Sequence, residues 1–382
     1  MSETKADDAK PPVIKVWDYL REYRAEREEL DAAIRQVMES GMLILGAHVR
    51  NFEADFARYC GCTHGVGVNS GTDALFLALR ALGIGAGDEV ITVANTAVPT
   101  VSAIAATGAR TRFVDIDPRT YLMDTRQLES AVTERTRCIL PVHLFGQCVD
   151  MDAVHAVARR HGLRVIEDCA QAHGARYKGK VAGSMCDLSA FSFYPTKILG
   201  GYGDGGMILT SMPELDASCR RLRFYGMDKQ YYSLEQGYNS RLDELHAAIL
   251  LRKLAHLDSY IARRRALAEL YRHELAGTAL TLPAVAPDNF HAYYLFVCRH
   301  PQRDFILQYL RERNIVLNVS YPWPIHIMPA YVHLGYAEGA LPHTEAAAKE
   351  IFSLPMFPSL TDDEARHTCA MLKQALAEAP AA

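Results

Sequence analysis

The chain has 382 residues, 49% hydrophobic and 23% charged, with 41 basic against 45 acidic side chains and a net charge of -4. That balance offers no cationic surface for nucleic acid or anionic lipid, and no apolar run approaches the roughly 18 residues a membrane helix needs. The length allows two domains, and nine scattered cysteines, with only Cys60 and Cys62 close together, predict reduced thiols without a disulfide frame or metal site.

In chain order, the polar opening MSETKADDAKPP lacks the apolar centre of a secretory signal, so residues 1–14 are expected to form a mobile tail on a cytoplasmic protein. Residues 15–249 are expected to form a large domain. Within it, EVITVAN, TRFVDID, CILPVHLFG, RVIEDCA and MILTS predict strands, alternating with the helices PTVSAIAATG and MDAVHAVARRHG. Such alternation predicts an α/β fold with a mostly parallel, doubly wound sheet, whose ligands gather at the carboxyl ends of the strands. After Asn239 the pattern changes. Leu242, Leu245, Ile249, Leu254, Leu257 and Ile261 fall at helical spacing behind a Ser240–Asp243 capping box. A strand, a helix, a second strand and a closing helix follow, which predicts a smaller α+β domain over residues 250–382.

Four segments carry chemistry. Ser70, Gly71 and Thr72 open a helix, and a helix start presents free N–H groups and the positive end of its dipole to an anion. An ordinary capping box explains the same residues. Asp168 ends the strand of Val165 and Ile166, where a carboxylate could meet a cationic ring nitrogen or simply cap a helix; Gln171 follows three residues later. In FSFYPTKILGGYGDGG, Lys197 stands behind Phe191, Phe193 and Tyr194, with Ser192 five residues upstream. A lysine removed from water can act as a nucleophile. Lys178 and Lys180 sit in a charged glycine turn and are expected to be solvated. The glycines from 200 to 206 lead into a strand and not a helix, so they are no dinucleotide loop. Asn239 precedes the long helix in what could be an ordinary turn. Together, a lysine, a carboxylate, phosphate donors and small residues meet the needs of pyridoxal 5′-phosphate, with pyridoxamine phosphate as the alternate form.

SGTDAL, PVHLFGQCVDM, EDCAQAHGA, FSFYPTK and YNSRLDELHAAIL resemble the signatures of the DegT/DnrJ/StrS nucleotide-sugar aminotransferases, over nearly the whole chain. VWDYL, SFYPTK, YGDGG and NVSYPWPIH are similar to the subgroup that aminates C3 of dTDP-3-keto-6-deoxyhexoses. The resemblance implies the aspartate-aminotransferase fold (fold type I) and a homodimer acting on L-glutamate and a dTDP-keto-deoxyhexose in antibiotic amino-sugar biosynthesis. It implies that Lys197 is the covalent anchor and that Asp168 pairs with the ring nitrogen. Gly71, Thr72 and Ser192 would hold the phosphate, Gln171 would lie near the ring's phenolic oxygen, and Asn239 would reach the neighbouring subunit's cofactor. Tyr194, Lys229, Tyr321 and His326 would touch the sugar nucleotide. Two departures stand out: only small residues occupy ANTAVPT, where many members carry a ring-stacking aromatic, and Ser320 replaces a histidine found in some C3-aminating relatives. Three alternatives remain: C4 amination, a dehydratase using pyridoxamine phosphate, and a non-catalytic regulatory relative. The dehydratases replace the lysine that Lys197 retains.

Overall fold

A computed structural model describes residues 13–380. Residues 1–12 of the expected tail lie outside that range. Its last residue, Ile14, is buried and forms a parallel bridge to Ile315.

The large domain is built on seven strands: β1 (His64–Val68), β2 (Glu89–Val93), β3 (Arg110–Val114), β4 (Thr136–Ile139), β5 (Arg164–Asp168), β6 (Leu188–Ser192) and β7 (Gly206–Thr210). Their order is β1-β7-β6-β5-β4-β2-β3. All neighbouring pairs are parallel except those made by β7, which runs against both β1 and β6. The apolar runs of β2 and β5 are buried on both faces, as expected for strands covered by helices on either side. The sheet is thus mixed and mainly parallel, as expected from the resemblance. The expected strands appear, with β1 and β6 in addition. β6 was hidden because its sequence, LSAFS, runs without a break into the lysine segment.

Local chemistry sets the helices. α1 (Tyr19–Ser40) is capped by Asp18, whose side chain accepts from the Arg21 N–H. α2 (Ala47–Cys60) and α3 (Gly71–Ala81) follow, the latter capped by Ser70 Oγ accepting from Asp73 N at 3.1 Å. α4 (Val98–Ala106) and α5 (Met151–His161) connect parallel strands, and α5 stops at Gly162 in the left-handed conformation. α6 (Pro213–Leu222) leads to a hairpin of β8 (Met227–Lys229) and β9 (Tyr232–Ser233).

α7 (Glu244–Glu274) runs unbroken for 31 residues, so the expected domain boundary at residue 250 falls inside one helix. Leu250, Leu257 and Ile261 belong to the large core, whereas Leu267, Ala268 and Tyr271 pack in the small one. The expected Ser240–Asp243 capping box does not form. Asp243 is the N-cap but makes no side-chain capping bond. Ser240 Oγ instead accepts from Asn69 N at 3.1 Å and donates to Asp73 Oδ2 at 2.7 Å, tying the turn before α7 to the start of α3. The small domain pairs β10 (Phe296–Arg299) with β11 (Ile351–Leu354) and covers them with α8 (Arg303–Arg311) and α9 (Asp362–Glu378). Tyr271, Phe296, Phe352 and Phe357 are fully buried there, each contributing on the order of 1.5–3 kcal/mol.

The ends of β1, β6 and β7 converge beside α3. Val68 and Ser192 both pair with Gly206, and a Cβ there would lie 2.2 Å from Ser70 O. The late glycine of the lysine segment therefore lets the start of α3 lie flat on the sheet. Gly206→Ala is expected to lower unfolding free energy by about 1–3 kcal/mol through overpacking. Urea denaturation checks this, and an unchanged midpoint would show that the contact relaxes freely.

Candidate active site

A cavity of about 250 Å³ opens at the carboxyl ends of β5 and β6. Gly71, Thr72, Thr100, Asp168, Ser192, Tyr194 and Lys197 line it. The structure thus gathers six residues expected from sequence, drawn from three separate segments, around one space.

Asp168 ends β5 and is almost completely buried. Ala170 N donates to its Oδ1 at 3.1 Å and Thr100 Oγ1 to its Oδ2 at 2.8 Å. Thr96 Oγ1 lies 2.9 Å from Thr100 Oγ1. Because Thr100 gives its proton to the carboxylate, Thr96 must donate to Thr100, forming a short relay. Burial pushes the Asp168 carboxyl above its ordinary range, and these two hydrogen bonds only partly oppose it. A cation at the free edge of the carboxylate would reverse that cost.

Behind Asp168 lies a fully buried pair. Val149 N donates to His143 Nδ1 at 3.1 Å, which fixes the proton on Nε2, facing Glu167 Oε2 at 2.9 Å. Burial pushes Glu167 up, but His143 and the N–H groups of Gly183 and Met185 outweigh it and hold the carboxyl below its usual value. His143 N also donates to Asp168 O at 3.0 Å, so the pair fixes the backbone on which Asp168 sits.

Across the cavity, Lys197 follows a tight turn in which its N–H donates to Tyr194 O at 2.9 Å. Its Nζ lies 4.8 Å from the ring centroid of Tyr294, whose hydroxyl is 2.9 Å from Thr196 Oγ1. Gly71 abuts Ser192: a Cβ on Gly71 would fall 2.6 Å from Ser192 Cβ. That approach brings the Ser192 hydroxyl to the N-terminus of α3, where Thr72 and the free N–H groups can hold a phosphate. Gln171 and Tyr321 do not line this cavity and are bonded to each other. Gln171 accepts from Phe145 N at 2.9 Å and donates to the Tyr321 hydroxyl at 2.7 Å. Burial, with Tyr294 and Asp168 adding to it, pushes the Tyr321 phenol up, so it stays protonated.

Three expected residues stand apart. Lys229 lies exposed on β8, and Asn239 is exposed beside its bridge to Phe224. His326 is fully buried with Nε2 3.0 Å from Glu345 Oε1, so the expected contact with a sugar nucleotide is not available to it. The loop after Pro324 turns inward at Ile325, whose N–H donates to Ala94 O. Sequence reasoning missed Thr96 and Thr100. Their four-residue spacing directly after a strand was the available signal. The Arg263–Arg265 run of α7 is largely committed to backbone carbonyls: Arg263 to Leu360, Arg264 to Met356 and Arg265 to His291.

A buried carboxylate lacking a cation, a lysine opposite it and an anion cradle between Gly71 and Ser192 suit pyridoxal 5′-phosphate. Fold and site together define a pyridoxal-phosphate-dependent aminotransferase. The chain belongs to the DegT/DnrJ/EryC1/StrS aminotransferase family, whose model matches residues 24–373. It is 55% identical to the dTDP-3-amino-3,4,6-trideoxy-alpha-D-glucose transaminase of Micromonospora megalomicea subsp. nigra, over 91% of this chain and 95% of that protein. Its fold is similar to that of S. venezuelae DesV in complex with a ketimine intermediate, with a TM-score of 0.95 and 44% identity, over 97% of this chain and 100% of that one. It is also similar to NtdA from Bacillus subtilis with bound pyridoxamine phosphate, with a TM-score of 0.88 and 30% identity, over 98% of this chain and 87% of that one.

Thr100→Val would leave Asp168 Oδ2 without its donor and is expected to cost about 1–3 kcal/mol, seen as a roughly 5- to 150-fold higher cofactor dissociation constant. Thr100→Ser should restore binding. Fluorescence titration of the cofactor-free protein checks both, and equal affinity in the valine variant would show that the hydroxyl is dispensable.

Proposed function

We propose that this aminotransferase moves the amino group of L-glutamate onto C3 of a dTDP-3-keto-6-deoxyhexose in antibiotic amino-sugar biosynthesis. The observation that carries the reading is Lys197 facing the buried Asp168 across one cavity. The choice of C3 and of the dTDP sugar rests on similarity to relatives whose names specify that chemistry.

Pyridoxal phosphate, when bound, supplies the electron sink that lets an amino group leave one carbon and join another. Asp168 holds the ring nitrogen protonated, and Thr100 and Ala170 hold Asp168 in place. Gly71, Thr72 and Ser192 hold the phosphate, and Gln171 lies beside the ring with Tyr321 as its partner. The Lys197 amine moves a proton away from the donor's α-carbon and, in the second half-reaction, delivers one on the way to the aminated sugar. One lysine serves both halves, so donor and acceptor bind in turn and the kinetics are ping-pong. Ala97 and Pro99 line the cavity with small side chains where many members carry an aromatic.

The active unit is proposed to be a homodimer. Met38, Met42, Leu43 and Ile44 are exposed around the end of α1, and Tyr231, Tyr232 and Leu234 on the β8–β9 hairpin. So many exposed apolar side chains on one monomer favour burial against a partner. Lys229 and Asn239 belong to the same hairpin and the turn after it, so each would serve the partner's cavity, Lys229 at the sugar nucleotide and Asn239 at the phosphate. Among the described residues no helix is long and apolar enough to cross a membrane, and a cytoplasmic location is proposed.

Lys197→Ala is expected to abolish amine transfer, and activity at the wild-type rate would refute the role. Mass spectrometry of reactions with dTDP-3-keto- and dTDP-4-keto-6-deoxyglucose should show nitrogen gained only by the 3-keto sugar; amination of the 4-keto sugar alone would move the reaction to C4. Sedimentation should show a dimer. Asn239→Ala should weaken cofactor retention without dissociating it, whereas a monomeric active enzyme would exclude the shared site.

A further inference from the structure

A second cavity, of about 300 Å³, opens on the other side of Lys197. It lies where α1, α7 and the Pro358–Ser359 segment meet, and Glu22, Glu26, Lys253, Arg263 and Arg264 supply its charges.

The charges do not balance. Lys253 Nζ stands 3.7 Å from Glu26 Oε2, and the other Glu26 oxygen accepts from the Tyr260 hydroxyl. Arg263 is bridged to Asp362 at 2.8 Å. Arg264 has no such partner. It is 2% exposed, its Nη1 donates only to the carbonyls of Met356, Tyr294 and Tyr293, and its Nε has no hydrogen-bond partner at all. The nearest acid is Glu22, which burial pushes towards its neutral form against the pull of Lys253 and Arg264. Burial likewise lowers Arg264 to about 10. A guanidinium buried among carbonyls, with one N–H unused, is a costly arrangement that an anion relieves.

We infer that this cavity receives the distal carboxylate of the amino donor, with the Arg264 guanidinium as the cation that meets it. The inference rests on the aminotransferase reading and adds to it the place where a dicarboxylic amino acid is told from a neutral one. Position supports the assignment: Lys197 lines both cavities, which places the second space next to the amine that meets the donor's α-carbon. Arginine matches a carboxylate through paired N–H groups, which a lysine at the same place would not.

The test uses the holoenzyme and follows the change in cofactor absorbance as the amino donor is titrated. L-glutamate is compared with L-norvaline, which has the same five carbons without the distal carboxylate. The wild type is expected to half-saturate at a glutamate concentration at least about tenfold below that for norvaline. Arg264→Lys, which keeps the charge and removes the fork, should bring the two within about threefold by raising the glutamate value alone. Ala25→Glu offers a second route that does not depend on Arg264 folding correctly. Ala25 lines the cavity from an exposed position on α1, and a carboxylate there should repel glutamate while leaving norvaline unaffected. If the wild type favours glutamate and a folded Arg264→Lys or the Ala25→Glu variant favours it equally, the pocket assignment falls. If the wild type itself does not distinguish the two amino acids, the glutamate reading fails first.

Discussion

The arrangement of the site depends on one carboxylate held out of water at the end of a strand. Asp168 is almost fully buried, and its pKa is driven up because two neutral hydrogen bonds replace only part of its lost hydration. Such a group is expensive unless a cation meets it. Much of the surrounding structure bears on it: the Thr96–Thr100 relay on one oxygen, the Ala170 N–H on the other and the His143–Glu167 pair behind its backbone. On the proposed reading, a protonated ring nitrogen would turn this cost into binding energy and tie cofactor affinity to the same contacts that shape the fold.

The doubly wound sheet explains how distant segments reach that carboxylate. Parallel strands end on one side, so the turn after β5, the end of β6 and the loop before α4 converge there by topology. The antiparallel β7 adds the local device: its first residue, Gly206, faces the ends of both β1 and β6 and leaves room for α3 to start against Ser192. Ser240 then locks the α3 turn to the chain just before α7. The proposed phosphate cradle is therefore held from the sheet on one side and from the turn before α7 on the other.

Much of this was legible in the sequence. β-branched runs alternating with helical spacing indicated the parallel sheet, and the aromatic residues around Lys197 with the glycines after it marked the lysine turn. Asp168 could be placed because Val165 and Ile166 fix where its strand must end. Other features were invisible for physical reasons. The strand β6 runs without a break into the lysine segment, and Ser240 matched a capping box while its hydroxyl bonded to residues some 170 positions away. His326 followed the expected active-site tyrosine in sequence, but a turn inward at Ile325 gave it to Glu345. Thr100 is an ordinary helix residue until the fold brings Asp168 to it.

The central claim is that Lys197 alone carries the cofactor opposite Asp168, and the most direct measurement is to trap that bond. Holoenzyme reduced with borohydride, digested and sequenced by mass spectrometry should carry the cofactor on the peptide containing Lys197. Recovery of the label on Lys178, Lys180 or Lys253 peptides, or no label on any peptide of a fully loaded protein, would contradict the account.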